Sequence, residues 1–181
     1  MNQAPDSFTT DRLILRRPDF LDVAAIYKLG RDPEVTRYMT WQTHKSIQDA
    51  VEFLKSCAPL WESGQEFCWV ITVKPEDQAI GTVACRIESS MADFGYVLNR
   101  AYWGQGYATE AVSAVVAWVM SLPEIHRIWA TCDTENLASA RVLEKTGLLC
   151  EKRLRHAMLR PNLSLMPRDT FVFAKVRDST S

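Results

Sequence analysis

Chemistry in this chain is best sought in Asn99-Arg100-Ala101-Tyr102-Trp103-Gly104-Gln105-Gly106-Tyr107-Ala108-Thr109-Glu110-Ala111. The stretch joins the end of a β-rich segment to the start of an apolar helical one. Its two glycines let the backbone turn tightly and lie close to a ligand. Successive N–H groups, followed by the free N–H groups of a helix N-terminus, form an anion site whose natural guest is a pyrophosphate. The same residues also make a tight strand-to-helix turn that holds nothing. Two phosphate signatures do not fit. A P-loop needs a lysine directly after its last glycine, and none follows Gly106. A dinucleotide fingerprint needs a third glycine where Thr109 stands, and it normally opens the first strand–helix unit of its domain rather than lying past the middle of the chain.

The remaining reactive side chains form no pattern of their own. His44, His126 and His156 are isolated from one another, so no metal site is expected. The five cysteines, Cys57, Cys68, Cys85, Cys132 and Cys150, are odd in number and widely spaced with no C-x-x-C, which reads as free thiols, bystanders to any chemistry.

The elements that must position the glycine stretch follow from composition and periodicity. With 181 residues, 47% hydrophobic and 24% charged, the chain fits one domain able to bury a core without staples. Lys+Arg at 21 against Asp+Glu at 22 leaves a net charge of -1, so direct nucleic-acid binding is not expected. Met1 to Arg12 has no apolar signal core, and the longest apolar run, Val115 to Met120, is too short to span a bilayer. A cytoplasmic protein without a membrane partner is therefore expected.

Residues 1–11 read as a loose segment, 12–177 as the domain and 178–181 as a tail. Leu13 and Leu15 alternate within a strand over 12–16. Asp19 caps a helix that carries Val23, Ala24 and Tyr27 and stops at Gly30. A second helix starts at Ser46, buries Ile47, Ala50, Val51 and Leu54, and should end or kink at Pro59. Phe67–Val73 and Ala79–Ile87 read as a hairpin, followed by a strand over 94–98, a helix over 109–121, a strand over 127–132 and a helix over 136–145 that ends at Gly147. Strands over 148–154 and 170–176 close the chain. Hairpins mixed with strand–helix–strand units predict a mixed α/β sheet flanked by helices.

Trp103-Gly104-Gln105-Gly106-Tyr107-Ala108-Thr109-Glu110-Ala111 resembles the coenzyme A loop of the GCN5-related N-acetyltransferases, and most closely the Rim-type branch that acetylates ribosomal-protein N-termini. The resemblance extends in order through Thr10 to Arg16, Asp32 to Tyr38, Ile80-Gly81-Thr82, Phe94-Gly95-Tyr96, His126-Arg127-Ile128 and Asn136 to Gly147. It implies a single-domain fold whose mostly antiparallel sheet contains one splayed parallel strand pair. It also implies acetyl-CoA as cosubstrate in the opening, with Trp103, Gly104, Gln105, Gly106, Tyr107, Ala108 and Thr109 forming the pyrophosphate seat. Tyr96, Val97 and Leu98 would hold the pantetheine arm by main-chain bonds. A backbone N–H near Val97 or Leu98 would polarise the thioester carbonyl, so Leu98 counts among the catalytic positions.

The acetyl acceptor implied is a primary amine, first of all a protein N-terminal α-amine, with a small-molecule amine as the alternative and a monomer or homodimer as the assembly. Many family members use a tyrosine to protonate the departing thiolate, and Leu143 stands in its place. Ser139 matches a serine that Rim-type enzymes are thought to use instead, and Asn136 matches a pantetheine contact while also suiting a helix N-cap. The absent tyrosine leaves open a non-catalytic acyl-CoA-binding module. The carboxylate that some Rim-type enzymes carry as base falls at Met158, which leaves His156, Asp93, Glu110 or a water chain. The prolines of Arg160 to Asp169 mark a loop on the acceptor side, where Arg168 pairs with a substrate carboxylate or with Asp169. Trp41, Trp61 and Trp69 are candidates to line the acceptor pocket or to join the core.

Overall fold

In the computed structural model, residues 4–177 are described. Eight strands form one sheet in the order β1-β2-β3-β4-β5-β6-β8-β7. They are β1 Ser7–Thr9, β2 Leu13–Arg16, β3 Phe67–Val73, β4 Ala79–Glu88, β5 Met91–Leu98, β6 Arg127–Asp133, β7 Leu149–Met158 and β8 Arg168–Val176. The helices are α1 Val23–Gly30, α2 Pro33–Thr36, α3 Ile47–Glu62, α4 Tyr107–Ser121 and α5 Leu137–Lys145.

Side-chain alternation along β3 explains how the layers sit. Trp69 and Ile71 point to the face where Ala111, Val112, Val115, Val116 and Val119 of α4 are buried. Val70 points to the opposite face, against Ile26 of α1 and Ala50 and Leu54 of α3. With both faces covered, β3 is apolar almost throughout and reads as a continuous run rather than an alternation. Each valine buried from α4 contributes on the order of 1.5–3 kcal/mol.

All neighbouring strands pair antiparallel except β5 and β6. That parallel pair holds only from Met91↔Arg127 to Asp93↔Trp129, beyond which the strands part. The gap at the carboxyl ends of β5 and β6 is the opening around which the site is built.

Four sequence expectations change. The segment ahead of Arg12 is not loose over residues 4–11. β1 pairs with β2, Ala4 is buried, and the Pro5 carbonyl accepts a 2.9 Å bond from Trp69 Nε1. Residues 1–3 and the expected tail 178–181 lie outside the described residues. Pro59 does not end α3, which runs on to Glu62 and buries Trp61 against Phe67 and Trp69. Aromatic burial there outweighs the lost hydrogen bond. α4 begins at Tyr107 rather than Thr109, because Gly106 in the left-handed region (φ +83°) is its cap. α2 is an added turn, with Pro33 at its first position and the Asp32 side chain accepting from the Glu34 N–H.

Candidate active site

The glycine turn fits a pyrophosphate. Gly104 and Gly106 have φ of +74° and +83°, and a Cβ at Gly104 would meet nothing within 4 Å. Among the described residues, none of the N–H groups from Gln105 to Thr109 donates to a backbone carbonyl, so the start of α4 presents a run of free donors. Side chains from far away hold the turn in shape. Arg12 Nε donates to Glu110 Oε2 at 2.7 Å, Arg12 Nη1 donates to the Gln105 carbonyl at 2.9 Å, and its guanidinium lies 4.5 Å from the centre of the Tyr107 ring. The Thr10 hydroxyl and Arg12 N–H also donate to Glu110 Oε1. Burial works to raise the Glu110 carboxyl, but the Thr10 and Arg12 bonds hold it below its usual range. Glu110 is therefore a brace of the turn. Its distance in sequence from Arg12 hid this from sequence reasoning, which placed it among the candidate bases.

At the strand end, alternation decides which backbone groups face the opening. The Asn99 N–H donates to the Ile80 carbonyl on β4 at 2.8 Å. Val97, in the same phase, directs its amide to β4, and Leu98 turns its N–H and C=O to the open side. The Leu98 carbonyl accepts from Trp103 Nε1 at 2.7 Å, which ties the glycine turn to β5. Between Val97 and Leu98, the Leu98 N–H is the one aimed at the gap.

A cleft of about 690 Å³ opens from the parted strands, and Tyr96, Val97, Asn136 and Ser139 are among its lining. Tyr96 Oη and Ser139 Oγ lie 2.8 Å apart, and Tyr96 also donates to the Ser139 carbonyl at 3.2 Å. Burial pushes the tyrosine hydroxyl well above its ordinary pKa, and the Ser139 bond offsets only part of that, so Tyr96 stays protonated at neutral pH. Asn136 caps α5 through Oδ1, which accepts from the Ser139 N–H at 3.2 Å, and its Nδ2 has no acceptor among the described residues. Leu143 is fully buried in the core.

Part of the cleft is lined by side chains of the segment between α2 and α3 and of the loop between β7 and β8. Trp41 and His44 line it with ring centres 5.3 Å apart. His44 Nδ1 is packed against Gly30 and has no partner among the described residues, and burial lowers the imidazole pKa despite the opposing charge of Asp49. Asn162 joins the two segments. Its Oδ1 accepts from the Thr43 N–H at 2.9 Å, and its Nδ2 donates to the carbonyls of Thr36 and Trp41 at 2.7 and 2.8 Å. Arg160, also in the lining, is buried, and its Nε and Nη2 have no partner among the described residues.

The other candidates settle elsewhere. His156 is exposed at φ +46°, its N–H donating to Asp169 Oδ1 at 3.0 Å, and it does not line the cleft. Asp93 lines the cleft, where Arg86 Nε donates to it at 3.0 Å while Arg86 Nη1 holds Glu66 at 3.0 Å. Trp61 and Trp69 belong to the core aromatic cluster, and only Trp41 of the three tryptophans reaches the cleft. Arg168 pairs with Asp133 at 2.7 Å and with Glu135 at 2.9 Å, and Asp169 is taken by Arg153. Cys68 and Cys132 line the cleft, and burial pushes the Cys132 thiol up to about 11. In the sequence His44 stands out only as an isolated histidine and Arg160 only as the start of the proline-marked loop, because nothing local marks either as cleft-lining.

Residues 12–149 match the family model described as an acetyltransferase (GNAT) domain. The chain is 33% identical over 171 residues to the uncharacterized N-acetyltransferase YoaA of Bacillus subtilis, covering 93% of this chain and 95% of that protein. Its fold matches the microcin C7 self-immunity acetyltransferase MccE, solved with acetyl-CoA and AMP, with a TM-score of 0.85 at 20% identity over 97% of this chain and 98% of that one. It also matches RimL, a ribosomal L7/L12 α-N-protein acetyltransferase solved with coenzyme A, with a TM-score of 0.82 at 21% identity over 93% and 96% of the two chains. The chain belongs to the GNAT acetyltransferase family. Within that family it is an acetyl-CoA-dependent N-acetyltransferase.

Proposed function

We propose that this enzyme acetylates an N-terminal α-amine of a protein, working in the cytoplasm as a monomer or homodimer. The observation that carries the reading is the Tyr96–Ser139 hydroxyl pair in the lining of the cleft beside the parted strands. Bound acetyl-CoA supplies an activated thioester, with the amine attacking its carbonyl carbon and sulfur departing as a thiol. The N–H groups from Gln105 to Thr109 hold the pyrophosphate, and Asn136 Nδ2 binds the pantetheine arm. The Leu98 N–H donates to the carbonyl oxygen as charge develops on it. Ser139 Oγ gives its proton to the departing sulfur and takes in return the second proton shed by the attacking nitrogen, while Tyr96 stays protonated, holds Ser139 by hydrogen bond and supplies from β5 the hydroxyl that Leu143 lacks. His44, kept neutral by burial, takes the proton from the acceptor ammonium, a role for which His156 lies outside the cleft.

Likeness to the Rim-type fold supports the protein acceptor. A small amine is the second reading, because a cleft of about 690 Å³ lies within the range of small-molecule sites. Thiol release from acetyl-CoA, measured against N-terminal peptides and small amines, separates them. Faster turnover of peptides is expected, and turnover of small amines alone overturns the protein acceptor. Mass spectrometry of a cell extract treated with labelled acetyl-CoA then identifies the natural acceptor.

A further inference from the structure

Arg160 is 5% exposed and lines the cleft, yet neither its Nε nor its Nη2 has a hydrogen-bond partner among the described residues. Those two atoms form the side-on edge of the guanidinium, the edge that meets both oxygens of a carboxylate in parallel bonds. A buried guanidinium without a hydrogen-bond partner is costly, and the charge of nearby Asp133 offsets only part of the cost of its burial. The neighbouring carboxylates are engaged elsewhere. Asp133 accepts from Arg168 Nε at 2.7 Å, from Arg168 Nη2 at 3.2 Å and from the Glu135 N–H at 2.9 Å. Glu66 and Asp93 are both held by Arg86.

The position of Arg160 also separates it from the phosphate seat, since no residue from Gly104 to Thr109 lines this cleft. Its carbonyl accepts from the N–H groups of Leu163 and Ser164, each at 2.9 Å, which curls the loop after β7. Asn162 pins that curl to Thr36 and Trp41. The backbone around Arg160 is thereby held, while its guanidinium is a lining group of the cleft. Its donor edge is closed to bulk water, so a carboxylate reaches it by entering the cleft and drawing the guanidinium toward the space the side chain already lines.

We infer that Arg160 anchors a carboxylate carried by the acceptor itself, so that the enzyme selects amines with a carboxylate on the same molecule. The carboxylate is the α-carboxylate of an amino acid or the acidic side chain of a polypeptide's first residue. The inference rests on the amine-acetylation reading above and names its substrate class.

Matched acceptor pairs test it. One arm compares the twenty L-amino acids with their α-amides, and the other compares peptides beginning with Asp or Glu with those beginning with Asn or Gln. The wild type should favour the carboxylate member of a pair by at least about tenfold in kcat/KM, Arg160→Met should bring the ratio to about one, and Arg160→Lys should fall between. The arm that shows the preference identifies the source of the carboxylate. Equal turnover within pairs in the wild type, or an unchanged preference in Arg160→Met, overturns the anchor.

A binding measurement stands apart from turnover. With coenzyme A present, N-acetyl-L-amino acids and N-acetylated peptides beginning with Asp or Glu should raise the wild-type melting temperature more than their neutral amide counterparts. Arg160→Met should lose that difference while melting, without ligand, at or above the wild-type temperature. If this Arg160-dependent binding appears and no amine is acetylated, the anchor stands and the amine-acetylation reading falls. If amines are acetylated with no such binding, the anchor falls alone.

Discussion

At the glycine turn the free groups are backbone N–H donors in sequence from Gln105 to Thr109, shaped by two glycines and braced by Arg12 and Glu110. In the cleft, which the glycine turn does not line, the groups in question are side chains, Trp41, His44 and Arg160, drawn from segments joined through Asn162. A backbone site tolerates most side-chain changes and fails when the turn is filled, strained or unbraced. A side-chain site changes its ligand when one residue changes. The first end suits a cosubstrate common to the family, and the second suits an acceptor that differs between members.

The largest expected effect comes from filling the backbone end. Gly106→Trp places a bulky residue at φ +83°, and strain of roughly 1–2 kcal/mol adds to the occupied seat. Calorimetry should find acetyl-CoA binding lost while circular dichroism stays native. Retained affinity would mean that the seat is not made by this turn and would erase the contrast between the two ends.

Ser139→Ala sharpens the boundary between them. The expected change is a fall in kcat of about a hundredfold with little change in the acetyl-CoA KM, since a proton donor acts in the transition state. A rise in KM with kcat intact would move Ser139 to the cosubstrate side.

His44 tests the acceptor end through pH. Because burial favours the neutral imidazole, its folded pKa lies below the ordinary value of 6.5. The acidic limb of kcat should therefore fall below pH 6.5, and His44→Gln should remove that limb and lower the plateau at least about tenfold. Stability follows the same sign. Between the unfolded value of 6.5 and the lower folded one the unfolded chain binds the extra proton, so the melting temperature should decline as pH drops through that window. An acidic limb that persists in His44→Gln reassigns the base.

Arg12→Ala carries the smallest effect. Its side chain is 47% exposed, so the brace should be worth about tenfold in acetyl-CoA KM at most, with kcat unchanged. A fall in kcat alone would show that the brace reaches the reacting atoms.

The sequence makes the backbone end legible because its determinants are local. Gly104, Gly106 and the apolar run after them declare a strand–turn–helix, and Asp19, Ser46 and Asn136 mark helix starts by their own side chains. What escapes it is set by distance or by packing. β1 is three mostly polar residues whose only periodic signal is Phe8, and it becomes a strand by pairing with β2. Pro59 obeys its neighbours Trp61 and Phe67 rather than its own preference. Tyr96 and Ser139 are each visible as candidate contacts of the cosubstrate, but their meeting depends on where α5 docks. His44 and Arg160 are conspicuous for the partners they lack, and a missing partner can be seen only once every neighbour is in place.

The Asn162 joint bears on the order in which the protein becomes competent during synthesis. Everything proposed for holding the cosubstrate, from Arg12 through Ser139, precedes it in the chain. Its amide closes loops of 119 to 126 residues, and such long closures come late because their entropy must be met by contacts already formed. An emerging chain should therefore gain a seat for acetyl-CoA before it gains a pocket for the amine, leaving the last stretch of translation to settle which molecule is acetylated.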